Sequence, residues 1–192
     1  MSQEPAVTAI ARSRGTRRGV AGTALLVLAA DQASKSLVMT ASPAGDGGGP
    51  VSVRLVHNSG ASFGIGAGHP LVITLTAAVV LALALVLLAR ARSRAVALSL
   101  GAVAGGAAGN LADRLLRGPG LGGGSVVDWI HVAIYPATFN LADVAIRLGA
   151  LCALIAYLRA ATPVPRPAGT AGAQRLRALT GRLPPTRPPS GP

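Results

Sequence analysis

Carboxylates are scarce in this chain. It holds six acidic residues among 192, against eighteen lysines and arginines. Charged residues make up 12% of the sequence, about half the share of an ordinary soluble domain. That shortage excludes a well-solvated globular surface over most of the length. Cysteine occurs once, at Cys152, so no intrachain disulfide can form, and no second thiol or histidine completes zinc-ligand spacing. Cys152 lies in an apolar run and is expected to be a buried small residue. The three histidines, His57, His69 and His131, fall between the apolar runs, are read as solvated loop residues, and show no metal-binding pattern. Aromatics are only 3% of the chain, so alanine, leucine, valine and glycine do most of the apolar work.

Long hydrophobic runs are what the chain has instead. A membrane-crossing helix needs about 20 mostly apolar residues. The clearest span runs from Leu71 to Ala89, nineteen residues without a charge. Three others follow the same pattern: Val20 to Met39, with Asp31 and Lys35 in its second half; Ala95 to Leu116, rich in glycine and alanine; and Phe139 to Leu158, interrupted by Asp143 and Arg147. The first resembles a secretory signal peptide, since Arg12, Arg14, Arg17 and Arg18 precede its apolar core. Its apolar character resumes after Lys35, however, and removing it would put the last two basic segments on opposite sides of the membrane.

The +12 net charge invites a nucleic-acid reading, which the placement of the charges opposes. With four spans, the amino terminus, the middle loop and the tail share one side, and thirteen of the eighteen basic residues lie there. The other side's loops hold only Arg54 and Arg117. The excess of positive charge then orients the chain with both termini in the cytoplasm, and no nucleic-acid partner is expected. Three regions follow: a basic amino-terminal segment (1–18), a four-span membrane domain (19–160) and a tail (161–192). From Thr162 onward the tail holds eight prolines, five arginines and no acid, a composition expected to be disordered. The expected fold is all-α, a four-helix membrane bundle. In its first outer loop, the alternation of Val51 to Val56 marks a short strand.

On this topology the embedded polar residues gather at one depth. Asp31 and Lys35 fall in the outer half of span one, and Asn110, Asp113 and Arg114 at the outer end of span three. Asn140 and Asp143 open span four, and Asp128 lies in the loop just before it. Ionisable residues in a bilayer are costly and usually face a partner or a functional cavity. Asp31 and Lys35 form an i, i+4 pair; Asn110, Asp113 and Arg114 share one helix face, as do Asn140 and Asp143. Gly105, Gly106 and Gly109 leave room for a neighbouring helix.

No serine or cysteine stands beside a plausible base, so the available chemistry is that of carboxylates and amides. Two carboxylates held close do not both ionise, and one keeps a proton. The ionised one can take a proton from water while the other polarises a carbonyl, with no metal or cofactor. Each residue also has a structural reading: an intrahelical ion pair at Asp31 and Lys35, a helix-end pair at Asp113 and Arg114, a helix-start role for Asp143. Two functional rivals stand beside the enzyme. A small transporter or proton-coupled channel is the first; transporters usually set their sites near the midplane, often in inverted repeats, and no repeat is visible. An assembly factor would tolerate Asp128→Asn and Asp143→Asn.

The motifs "DQASK" (Asp31 to Lys35), "NSGASFG" (Asn58 to Gly64), "GGAAGNLADR" (Gly105 to Arg114), "VVDWI" (Val126 to Ile130) and "FNLADVAI" (Phe139 to Ile146) occur in the order and spacing of lipoprotein signal peptidase, signal peptidase II. The resemblance covers residues 19 to 158. It implies a bacterial inner-membrane aspartic endopeptidase that acts, near the outer face, on diacylglyceryl-modified prolipoproteins. It implies Asp128 and Asp143 as the catalytic pair, and Asn110, Arg114 and Asn140 as residues that bind substrate backbone and position that pair. Asn58, Gly60 and Phe63 would form an outer-loop cradle, and Asp31, Lys35 and Asp113 would be supporting polar residues. Partners would be the lipidated substrates and membrane lipid, and a monomer is expected. Ser62 and Trp129 depart from the family's usual alanine and phenylalanine. Arg147, one turn beyond Asp143, is expected to form an ion pair within the bundle, with Asp143, Asp31 or Asp113.

Overall fold

The computed structural model describes residues 4–41, 49–61, 65–66, 68–118 and 120–161, with side chains from residue 16 onward. Phe63, Ser62, the linker at 42–48 and the proposed disordered tail beyond 161 lie outside the described residues. Four helices and a small sheet follow in order: α1 (Glu4–Ala41), β1 (Val51–Asn58), α2 (Pro70–Arg90), α3 (Arg94–Leu116), β2 (Val126–Val132), β3 (Thr138–Phe139) and α4 (Leu141–Ala161). Among the described residues, α2, α3 and α4 are long and apolar enough to cross a membrane. Asp31, Gln32 and Lys35 make the apolar part of α1 more polar than the other three.

The helix boundaries follow local chemistry. Pro70, which has no N–H to lose, opens α2. Ser93 caps α3, its hydroxyl accepting the Val96 N–H at 3.1 Å. Arg90 and Arg159 occupy the last turns of α2 and α4, where the helix dipole favours cations.

The central helix is α3, and its small residues make it so. Gly101, Gly105 and Gly109 repeat every fourth residue and face α1. A Cβ on Gly105 would collide with the Ala24 carbonyl, and one on Gly109 would stand 2.5 Å from the Asp31 carboxylate. Gly106 faces α4 instead, where a Cβ would lie 2.6 Å from the Ala142 carbonyl oxygen. On a third side, Ala84 of α2 packs on Val103 and Ala104. The outward sides of α2 and α4 expose leucines and valines such as Leu75, Val79, Leu83, Leu151 and Leu154, as lipid-facing helices do.

The sheet is antiparallel, in the order β1-β2-β3. β1 is two residues longer than the expected Val51–Val56 strand. Asp128, expected in a loop, lies on β2, and His57 and His131, also expected in loops, lie on β1 and β2. The glycine-rich segment before "VVDWI" hid a strand whose partner residues lie 68 to 81 positions away in sequence, from Asn58–Val126 (126 − 58) to Val51–Val132 (132 − 51). Cys152, expected to be buried, is exposed on α4. The helix is apolar around most of its circumference, and its narrow buried stripe passes through Gly149 and Ala153 instead.

Candidate active site

Register places the key side chains. β1 and β2 pair Val53 with Ile130, but Val56, not Leu55, with Asp128. One extra residue in β1 therefore forms a bulge between Val53 and Val56. Side chains alternate across a strand, so this shift turns Asn58 rather than His57 to the face of Asp128. The Asn58 amide donates to Asp128 Oδ2 at 3.0 Å, and His57 is exposed. Asn58 Oδ1 also accepts the Gly60 N–H at 3.0 Å, a side-chain turn that fixes the loop. Arg114 donates to the Gly60 carbonyl at 2.7 Å and to the Asn58 carbonyl at 3.5 Å.

The short strand β3 folds back on β2, pairing Phe139 with Ile130 and Thr138 with His131. The next residue, Asn140, caps α4: its Oδ1 accepts the Asp143 N–H at 2.9 Å. Its amide donates to Asp128 Oδ1 at 2.7 Å and to Asn110 Oδ1 at 3.1 Å. Asn110 in turn donates to Asp143 Oδ1 at 2.9 Å. Asp128 and Asp143 are thus joined by two asparagines, and both line one cavity of about 290 Å³ with Asn58, Asn110 and Arg114. Ile73, Ala77 and Val80 of α2 supply apolar wall.

Burial pushes the Asp128 carboxyl up to about 6, and the nearby Asp143 charge adds to the rise. The Asn58 and Asn140 hydrogen bonds pull the other way without overcoming it. The Arg114 Nε is buried and has no hydrogen-bond partner among the described residues, although Arg114 itself lines the cavity.

Behind the cavity lies a charged cluster. Asp31, Lys35 and Asp113 are fully buried, 0% exposed. Lys35 Nζ stands 2.7 Å from Asp31, 2.8 Å from Asp113 and 3.0 Å from Asn110 Oδ1. Each acid also takes a backbone amide: Asp31 accepts the Ala142 N–H on its other oxygen at 3.0 Å, and Asp113 accepts the Val127 N–H at 3.2 Å on the same oxygen that faces Lys35. Each of these amides immediately precedes a residue of the Asp128 and Asp143 pair. The sequence expectation brought these acids to one depth but missed two partners. Gln32 donates to Asp113 at 3.0 Å and to the Gly109 carbonyl at 3.1 Å. Arg117 pairs with Asp113 at 2.8 Å. Arg117 stands at i+4 from Asp113, a signal that the sequence did contain. Two acids thus face two cations, as burial of charge requires.

Arg147 does not form the expected ion pair among the described residues. Its guanidinium lies 5.9 Å from the Tyr135 ring centre and 6.0 Å from that of Phe139, and the side chain lines the cavity. The buried acids are already neutralised by Lys35 and Arg117, and the two rings offer the cation an alternative surface.

Solved structures share this architecture. A bacterial membrane enzyme determined by the in meso method matches with a TM-score of 0.64 at 24% identity, over 76% of this chain and 91% of its own. A second matches with a TM-score of 0.58 over 71% and 90%. The fold is therefore that of a helical membrane enzyme. The model of the signal peptidase (SPase) II family matches residues 23–159. A lipoprotein signal peptidase of Mycobacterium avium is 36% identical over 161 residues, 81% of this chain and 88% of that protein. One from Streptomyces coelicolor is 35% identical, over 79% and 77%. One from Leifsonia xyli is 38% identical over 66% of this chain, which spans 61% of that relative's length. The chain belongs to the signal peptidase II family and is, by that membership, a peptidase.

Proposed function

We propose that this protein is a membrane-embedded aspartic endopeptidase that removes the signal peptide from diacylglyceryl-modified prolipoproteins, cutting on the amino side of the lipidated cysteine. The observation that carries the aspartic reading is the pair itself: Asp128 and Asp143 line one cavity, bridged through Asn140 and Asn110. Asp128, pushed up to about 6, is where burial favours a proton, although a coupled pair titrates as a unit. In this reading one carboxylate takes a proton from the attacking water while its partner donates toward the scissile carbonyl. The proton held between them afterwards passes to the leaving nitrogen. Arg114 and Asn58, both on the cavity wall, hold the substrate backbone. No metal or cofactor has a step in this scheme.

The placement in the membrane belongs to the same proposal. α1 is the fourth span, both termini are cytoplasmic, and the sheet caps the outer end of the bundle. The lipid chains of the substrate stay in the bilayer beside α2 and α4, and the bond to be cut sits at the outer surface. One copy of the chain suffices.

The test is cleavage of a purified diacylated prolipoprotein in detergent. Wild type should cut it with a chelator present and leave an unlipidated substrate intact. Asp128→Asn and Asp143→Asn should fold and fail to cut. Near-full activity in either variant would remove that residue from the pair, and a wild type that never cuts would favour transport or assembly.

A further inference from the structure

A second cavity lies at the other end of the bundle. It occupies about 1180 Å³ between α1 and α2, with α3 as its floor. Ala21, Leu85, Leu88 and Ala104 give it an apolar interior. Its lining includes Arg17 from α1, Arg92 from the turn joining α2 to α3 and Arg94 from the first position of α3, and no acidic residue lines it. Arg17 lies fourteen residues before Asp31 on one helix, which puts it roughly 21 Å below the polar centre. The groove therefore opens at the depth of the opposite leaflet. Among the described residues none of the three arginines forms an ion pair, and all three are exposed.

Cations at helix ends orient a membrane protein wherever they stand. Orientation does not require three of them to converge on one apolar cleft. We infer that this groove binds an anionic phospholipid of the inner leaflet, with its phosphate on Arg17, Arg92 and Arg94 and an acyl chain between α1 and α2. The chemistry matches at both ends: guanidinium forks suit phosphate oxygens, and the alanine-lined cleft excludes water from a hydrocarbon chain. Basic pockets between spans on the cytoplasmic side are the usual setting for such contacts. The site is independent of the peptidase reading and remote from its cavity.

The experiment titrates the full chain in detergent with phosphatidylglycerol and, separately, phosphatidylcholine, following bound lipid by native mass spectrometry. Phosphatidylglycerol should bind more tightly. Each Arg→Gln change at 17, 92 or 94 should weaken it about 5-fold, and the triple variant on the order of 100-fold. Ala21→Phe fills the groove, keeps every arginine and should also weaken binding. Millimolar inorganic phosphate should leave lipid binding unchanged. Equal affinity for the two lipids would overturn the inference. So would a triple variant that keeps its preference, which would assign it to the basic tail. Unaltered binding by Ala21→Phe, or displacement by inorganic phosphate, would reduce the site to charge alone and overturn it too. Should the triple variant fail to insert, the single Arg92→Gln variant carries the same comparison.

Discussion

Asp113 accepts the backbone N–H of Val127 at 3.2 Å, and so fixes the residue immediately before Asp128. Asp31 does the same for Ala142, immediately before Asp143, at 3.0 Å. Lys35 joins the two acids, so a single ammonium registers both segments that carry the proposed catalytic pair.

Removing that ammonium leaves two buried acids facing each other. Lys35→Met should destabilise the protein by about 3–5 kcal/mol, the usual cost of breaking a buried ion pair. Thermal unfolding in detergent reads the loss. A change within 1 kcal/mol would mean that Arg117 and Gln32 suffice for Asp113 and that Asp31 needs no cation.

Asn140 does two jobs that substitution can separate. Asn140→Asp keeps a side-chain oxygen for the Asp143 N–H, so the helix cap survives. It loses the amide donors to Asp128 and Asn110 and adds a third carboxylate. Cleavage should drop by a hundredfold or so, about 2.7 kcal/mol of lost transition-state stabilisation. Asn140→Ala loses the cap as well and should cost a further ~1 kcal/mol of stability. Equal activity in wild type and Asn140→Asp would show that the bridge is dispensable.

The pH dependence of stability follows from Asp128. Its carboxyl lies at about 6 in the folded protein against an ordinary 3.8. Between those values the folded state holds a proton that the unfolded chain has released. Stability from this group is therefore present at low pH and lost as pH rises from about 4 to 6, by roughly 3 kcal/mol in all. Asp128→Asn should flatten that window in melting profiles taken beside wild type. Parallel profiles would place the perturbed proton elsewhere.

The α1–α3 contact tolerates no side chain at Gly105. Gly105→Val places its Cβ in the Ala24 carbonyl and should cost ~1–3 kcal/mol through overpacking. Gly19→Ala, whose Cβ would sit an ordinary 3.5 Å from Leu98, should be close to neutral. A Gly105→Val protein melting with wild type would mean that the two helices part without loss.

Much of this was legible in sequence, for identifiable reasons. The spans over α2, α3 and α4 are long apolar runs, and local composition is enough to find those. The acids in the bundle were legible as a set because each is expensive alone. Asn140 as a cap is within reach of the sequence, since Asn favours helix starts, but Asp143, three residues on, satisfies the same rule. Pairing was out of reach. β2 is no alternating strand, and its contact with β1 joins residues at least 68 positions apart (126 − 58). The ion pair expected of Arg147 follows from composition, since a lone cation beside acids invites one. Only the structure shows those acids already satisfied and two aromatic rings in reach.

The bulge in β1 has a consequence for how this protein can change. A sheet reads its strands two residues at a time, so the single extra residue between Val53 and Val56 acts like a reading frame. Point substitutions in that stretch alter one side chain each. Deleting one residue there would shift the frame, turn Asn58 outward and bring His57 to Asp128. An imidazole would then stand where an amide now donates. Length, more than composition, is what β1 must conserve.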